Sequence, residues 1–257
     1  MTATTLIVQY MDDLLDTRSV PDYPNALNGL QLANDGQVTR IAAAVDFSLR
    51  TVTAAAEAKA NLLIVHHGMF WGGLEPIRGT AFTRLKTLIR NGIAVYSSHL
   101  PLDRHALYGN NALLATELGL EPSGEFARFK DISIGVMGKS DIDSSELAAR
   151  AATFAQSHGG SVRTTPISTE RRTCAWAICT GAGASSETLR EARELGIDTI
   201  IVGEGPHHTA VDAEESGIVV IYAGHYATET LGVRAIAAHV SDRFGVPWTF
   251  LEAPTGL

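Results

Sequence analysis

The chain has 257 residues, 45% of them hydrophobic and 19% charged, and a formal net charge of −8. That length suits one large core or two small ones. No run approaches 18 uninterrupted apolar residues, so no membrane span is expected, and the acidic balance speaks against non-specific nucleic-acid binding, which needs a basic surface.

The opening MTATTLIVQYMDDLLD carries early acids and no basic n-region, so it reads as a first helix and not as a signal peptide. Leu6, Ile7, Tyr10, Met11, Leu14 and Leu15 follow helical spacing. Strand-like and helix-like runs then alternate. RIAAAVD precedes LRTVTAAAEAKA, NLLIVHH precedes TAFTRLKTLIRN, and GIAVYSSH precedes GNNALLATELGL. Apolar runs of four to six residues suit strands covered on both faces, which predicts an α/β fold with mainly parallel sheets flanked by helices. Pro122, Ser123 and Gly124 break the pattern and suggest a boundary. Beyond them DISIGVMG reads as a strand and SSELAARAATFAQSHGG as a helix opening on serine caps. CAWAICTG, SSETLREARELG, DTIIVGE, HHTAVDAEESG, IVVIYAG, TETLGVRAIAAHVSDRFG and a last strand in PWTFLEAP follow. The only basic pair, Arg171–Arg172, reads as part of a solvated loop. The two cysteines, Cys174 and Cys179, lie in one apolar run and point to opposite faces of a strand. Neither a disulfide nor shared metal ligation is expected of them, and buried free thiols fit a reducing, cytoplasmic compartment.

The two halves echo one another. GIAVYSSH (92–99) resembles GIVVIYAGH (217–225), and EAKANLLIVHH resembles EARELGIDTIIVGEGPHH. Two related α/β units would aim equivalent strand ends at one cleft. Six of the nine histidines (His66, His67, His99, His207, His208 and His225) lie at or just beyond predicted strand ends, where ligands collect in open α/β sheets. A single histidine there is ordinarily a hydrogen-bonded rim residue; six together point to metal ligation. His66 and His67 are adjacent on an extended chain and point apart, which suits two neighbouring ions better than one. Asp103 follows His99 by four residues, and Glu229 follows His225 by four, a spacing that puts both side chains on one face of a helix. The set His66, His67, Asp103, His225 and Glu229, with a bridging carboxylate or water, would satisfy two divalent ions roughly 3.5–4 Å apart. With no cysteine in the set, Zn, Fe, Mn, Co or Ni are all chemically reasonable.

NGLQ (28–31), IVHHGMFW, SHLPLD followed by GNNALLA, CTGAG, VGEGPHH and GHYATE occur in this order over nearly the whole chain. In combination they resemble the Nif-three-like family, whose members carry the name GTP cyclohydrolase type 2 homologue. The resemblance implies two interlinked, topologically similar α/β units, here residues 1–124 with 226–257 and residues 125–225. It also implies a dinuclear metal centre and a toroidal homohexamer built from dimers. It carries metal ligation onto the five residues above, with Glu229 bridging, His66 and Asp103 on one ion, and His67 and His225 on the other. Gly68 stands where many members have Pro, and HLPLD where Thr-Asn usually separates His from Leu. Further candidates to orient ligands, hold substrate or shuttle protons are His99, Asp46, Glu204 and His208; the alternative for each is a cap or a loop hydrogen bond, which is the stronger reading for His207.

Three functions follow as expectations. The first is a metal-dependent hydrolase of a small-molecule substrate, acting through metal-bound hydroxide, with GTP ring opening as the family name suggests. The second is a metal-stabilised scaffold or regulatory protein that binds other macromolecules. The third reads CTGAGASS as a partial dinucleotide fingerprint, Gly181-x-Gly183-x-x-Ser186; a tight strand–helix turn is the better reading, its amides lining the cleft.

Overall fold

In chain order the first elements are β1 (Thr2–Ala3), α1 (Thr4–Leu14), β2 (Gly29–Leu32), β3 (Gln37–Val38), β4 (Ile41–Asp46), α2 (Leu49–Glu57), β5 (Leu62–His67), α3 (Gly79–Arg90), β6 (Ala94–Ser97) and α4 (Leu100–Asp103). There follow α5 (Asn110–Glu117), β7 (Gly124–Phe129), β8 (Ile132–Asp143), α6 (Ser144–Ser157), β9 (Arg163–Thr164), β10 (Arg172–Cys179), α7 (Ser186–Leu195), β11 (Thr199–Val202), α8 (His207–Glu215), β12 (Val219–Tyr222) and α9 (His225–Thr228). The last are α10 (Thr230–Phe244) and β13 (Trp248–Phe250). The computed structural model describes residues 2–257. It comprises two units, the first running up to Leu102 and resuming over Gly232–Ala253, the second spanning Asp103–Leu231 and Pro254–Leu257. The division falls inside the helical turn α4, and the Pro122-Ser123-Gly124 break leads into β7 within the second unit.

The first unit holds a five-stranded sheet of order β13-β4-β5-β6-β2, parallel except for β2 at its edge. Every residue of Leu62–His67 is buried, so this central strand reads as one apolar run ending in histidine. Ala42, Ala44, Leu63, Val65 and Val95 pack on α2 and α3 through Val52, Ala55 and Leu88. The alternate residues Ile41, Ala43, Leu62, Ile64 and Tyr96 are equally buried on the other face.

The second unit holds a six-stranded sheet of order β7-β8-β10-β11-β12-β9. Its centre, β10-β11-β12, is parallel, and antiparallel strands flank it on both sides, so this sheet is mixed. Alternation sorts its side chains onto two faces. Trp176, Ile178, Ile201, Val219 and Ile221 join α5 and α6 in one cluster, while Ala177, Cys179, Ile200, Val202 and Val220 join α7 and α8 in the other. GEFARF, read from sequence only as part of a break, forms β7, the hairpin partner of β8. The helix α6 is capped by Asp143 and not by a serine: its carboxylate accepts from the amides of Ser145 and Glu146.

The internal echo is structural. Each unit contains a β-α-β-α-β run, β4 to β6 and β10 to β12. In each, the helix after the first strand opens on a reciprocal Ser–Thr capping box, Ser48 with Thr51 and Ser185 with Thr188. The ladders pair Leu62 with Ala94 and Thr199 with Val219, which makes Gly92 equivalent to Gly217 and His99 equivalent to Gly224. His225 therefore lies one residue beyond the position the sequence echo gives it.

Candidate metal centre

In the first unit, β5 lies between β4 and β6, and its two terminal histidines are held from opposite sides. His66 Nδ1 donates to the carbonyl of Ser98, just past β6, at 2.9 Å. His67 Nδ1 donates to Oδ1 of Asp46, the last residue of β4, at 2.9 Å. His99 joins them, its Nδ1 donating to Asp22 at 2.9 Å. Asp22 also accepts from the amide of Leu100 and from Asn28 Nδ2, while Asn28 Oδ1 accepts from the His99 amide. Burial pushes the Asp22 carboxyl up, but the bond and charge of His99 and the bonds from Asn28 and Tyr23 outweigh it and hold the group below its usual value. All three imidazoles are buried, and one ligating atom from each lies within 4.8 Å of the others. With Nδ1 committed as a donor, Nε2 is the nitrogen that each ring can offer to a metal once neutral.

In the second unit, His225 opens α9 and Glu229 follows that turn. His225 Nε2 is 3.2 Å from Glu229 Oε2, and its Nδ1 is 2.7 Å from Glu204 Oε1. Burial alone lowers the pKa of His225; Glu229 and then Glu204 overcome it and raise the value to about 9. Asp103 is buried, its Oδ1 accepting from Asn110 Nδ2 at 2.8 Å and from Thr180 Oγ1 at 3.4 Å. Asn111 braces the same segment, donating to the Asp103 carbonyl and accepting from the Thr180 amide. Gly181 has φ +62°, and a Cβ there would stand 2.1 Å from Glu229 Oε1 and 3.3 Å from His225 Nε2. Only glycine fits that cradle. The CTGAG turn thus packs on carboxylate and imidazole, and Ser185 and Thr188 cap the first turn of the helix that follows. The Cys179 thiol is buried; burial first, then the charges of Asp103 and Glu229, push its pKa up and hold it protonated.

The structure thus places Asp46 on His67, Glu204 on His225, and His99 within the imidazole cluster of the first unit. His207 and His208 are brought to neither cluster. They open α8, both exposed, with His208 near the Ser186 hydroxyl. Asp22, Asn28, Asn110, Asn111 and Thr180 belong to the scaffolding of these clusters and carried no sequence signal of their own beyond lying in or near NGLQ, GNN and CTG.

What these elements define is a protein of two α/β units, each carrying a group of nitrogen and oxygen donors braced by hydrogen bonds, buried in the first and partly buried in the second. The family Duf34/NIF3 (NGG1p interacting factor 3) matches residues 2–255. The chain is 38% identical over 257 residues, 98% of it and 93% of the relative, to the GTP cyclohydrolase 1 type 2 homolog of Deinococcus radiodurans. It is 36% identical over 251 residues to the protein of that name from Archaeoglobus fulgidus, covering 98% of each. Among solved structures, ybgI, described as of unknown function, superposes with a TM-score of 0.89 at 32% identity over the whole of both chains. A Thermus thermophilus protein superposes with a TM-score of 0.82 at 34% identity, again over the whole of both. The chain belongs to the Duf34/NIF3 family.

Proposed function

We propose that the chain is a metal-dependent hydrolase whose two donor clusters serve one dinuclear centre. His66 and Asp103 would hold one ion, His67 and His225 the other, and Glu229 would bridge them. The observation that carries this reading is the common treatment of four imidazoles. His66, His67, His99 and His225 each engage Nδ1 with a carbonyl or carboxylate, at 2.7–2.9 Å. That is how metal-ligating histidines are oriented and their basicity raised. The donor set, imidazole and carboxylate without thiolate, fits Zn, Fe, Mn, Co or Ni. Asp103 ends the helical turn that begins immediately after His99.

A pair of divalent ions supplies Lewis acidity and makes water acidic near neutral pH. The protein's own groups do the positioning. Asp46 and Glu204 fix two rings through their Nδ1 protons, Asn110 and Thr180 aim Asp103, and Gly181 leaves room for Glu229. The Asp22–His99 pair, buried beside His66 and His67, is placed to orient a reacting group. The name shared by the relatives points to GTP as the first compound to try. Free thiols are in keeping with a reducing cytoplasm, and among the described residues no helix is long and apolar enough to cross a membrane. A homohexamer is the proposed assembly, with a mass in solution about six times 27.3 kDa.

The test is a hydrolase panel of GTP, phosphoesters and cyclic amides on metal-loaded protein, with His67→Ala as blank. Turnover confined to the unsubstituted protein supports the reading. Turnover surviving in the variant, or metal bound without any turnover, counts against it, and the second outcome favours a metal-stabilised binding protein.

A further inference from the structure

We propose that the cavity beside the imidazole cluster of the first unit binds an aromatic ring carrying one anionic group, a carboxylate or a phosphate, with Arg84 as partner of the anion. The proposal rests on reading those histidines as part of a hydrolytic centre, because it makes the cavity the seat of the substrate's body.

The cavity has a volume of about 390 Å³ and lies wholly within the first unit. That is at the lower end of the range for small-molecule pockets. Its walls include Phe47, Phe70, Trp71, Ile77 and Leu85. Three aromatic faces in one lining favour a flat ring over an aliphatic chain. Trp71 is the shared wall: it lines the cavity, and its ring centroid lies 4.9 Å from that of His67 and 4.6 Å from that of His99. Gly68 and Met69, which follow His67 directly, continue the wall. Gln31 pins this loop, its Oε1 accepting from the Met69 amide at 2.6 Å while its Nε2 donates to the carbonyls of Ala26 and Leu27. A Cβ at residue 68 would meet the Gln31 side-chain amide at 2.4 Å, so glycine here lets Gln31 close on the loop.

Arg84 projects from α3 and is pre-positioned. Its guanidinium lies 5.0 Å over the Phe47 ring, and Nη1 donates to the Phe47 carbonyl at 3.3 Å. Nε is buried and has no hydrogen-bond partner, and among the described residues no carboxylate pairs with this cation. A guanidinium has five donors in a planar fork, and the Phe47 carbonyl engages one of them. A carboxylate or phosphate is the acceptor that matches the fork. Because the stack on Phe47 holds the group in place, little side-chain freedom remains to be lost on binding. Glu75 is the one acidic residue in the lining, and it is exposed, where solvent screens its charge.

Titration calorimetry on the full chain tests this, with benzoate and phenyl phosphate as probes, acetate and inorganic phosphate as anions without a ring, and benzyl alcohol as a ring without charge. The expected result is binding of benzoate or phenyl phosphate to metal-loaded and chelator-treated protein alike. The tighter of the two identifies the anion. Benzyl alcohol and the ring-free anions should bind at least about tenfold more weakly. Arg84→Gln should weaken the preferred probe about tenfold or more, and Ala81→Phe, which fills the cavity and leaves Arg84 in place, should abolish binding with the thermal transition retained. Unchanged binding in either variant, equal binding of benzyl alcohol, or loss of binding on chelation would overturn the proposal. Hydrolysis retained without probe binding would sink the pocket alone, whereas probe binding retained without hydrolysis would sink the catalytic reading alone.

Discussion

Metal entering the second cluster has to displace a proton. In the metal-free protein His225 Nε2 faces Glu229 and Nδ1 faces Glu204; burial works against the charged ring, and the two carboxylates win, setting its pKa at about 9. A ligating imidazole must be neutral. At pH 7, two pH units below that value, proton competition lowers the apparent affinity about a hundredfold, about 2.7 kcal/mol. Affinity for a divalent ion at this cluster should therefore rise about tenfold between pH 7 and pH 8 and level off above pH 9. Calorimetry at pH 7 in buffers of different ionisation enthalpy should register about one proton released from this cluster on filling, and Glu204→Gln should reduce that release. The same shift sets a stability trend. The folded pKa lies above the ordinary 6.5, so the stabilisation is fully present below pH 6.5 and is lost as pH rises through about 9. Metal-free protein should accordingly melt lower at pH 9.5 than at pH 6. An affinity flat from pH 7 to pH 9 with no proton release would refute the arrangement of His225 between its two carboxylates.

Asp46→Ala removes the acceptor that orients His67, and metal affinity measured against a chromogenic chelator should fall about 10–100-fold with the fold intact by circular dichroism. Gly181→Ala forces a methyl group onto Glu229 Oε1 at a positive φ; urea denaturation should show a loss of about 1–3 kcal/mol, with metal binding weakened as well. Native alkylation followed by mass spectrometry should modify exposed Cys174 and spare Cys179, whose buried thiol is held protonated.

Strands, helices and the histidine doublet were readable from sequence because each rests on local pattern. Four apolar residues, Leu62 to Val65, running straight into His66 and His67 mark β5, and the 3.6-residue period marks α1 and α10. What the pattern could not carry was set by contacts remote along the chain. Asp22 reaches His99 across 77 positions and Asn111 reaches Thr180 across 69, and nothing in their immediate surroundings distinguishes them from ordinary loop polar residues. The boundary at Leu102 has no linker signature because it falls within a helical turn. GEFARF forms β7 only because the first half of β8, from Ile132 to Met137, folds back beside it as its partner. The partial dinucleotide fingerprint has a local explanation: Gly181 is required by Glu229, and the Ser185–Thr188 cap satisfies the helix end that a phosphate would otherwise use.

The most direct test of the proposed centre is anomalous diffraction from crystals of the metal-loaded full chain. Two peaks roughly 3.5–4 Å apart are expected, one touched by His66 and Asp103, the other by His67 and His225, with Glu229 reaching both. A single ion held by His66, His67 and His99 without any carboxylate of the second unit, or ions at separate remote sites, would contradict it.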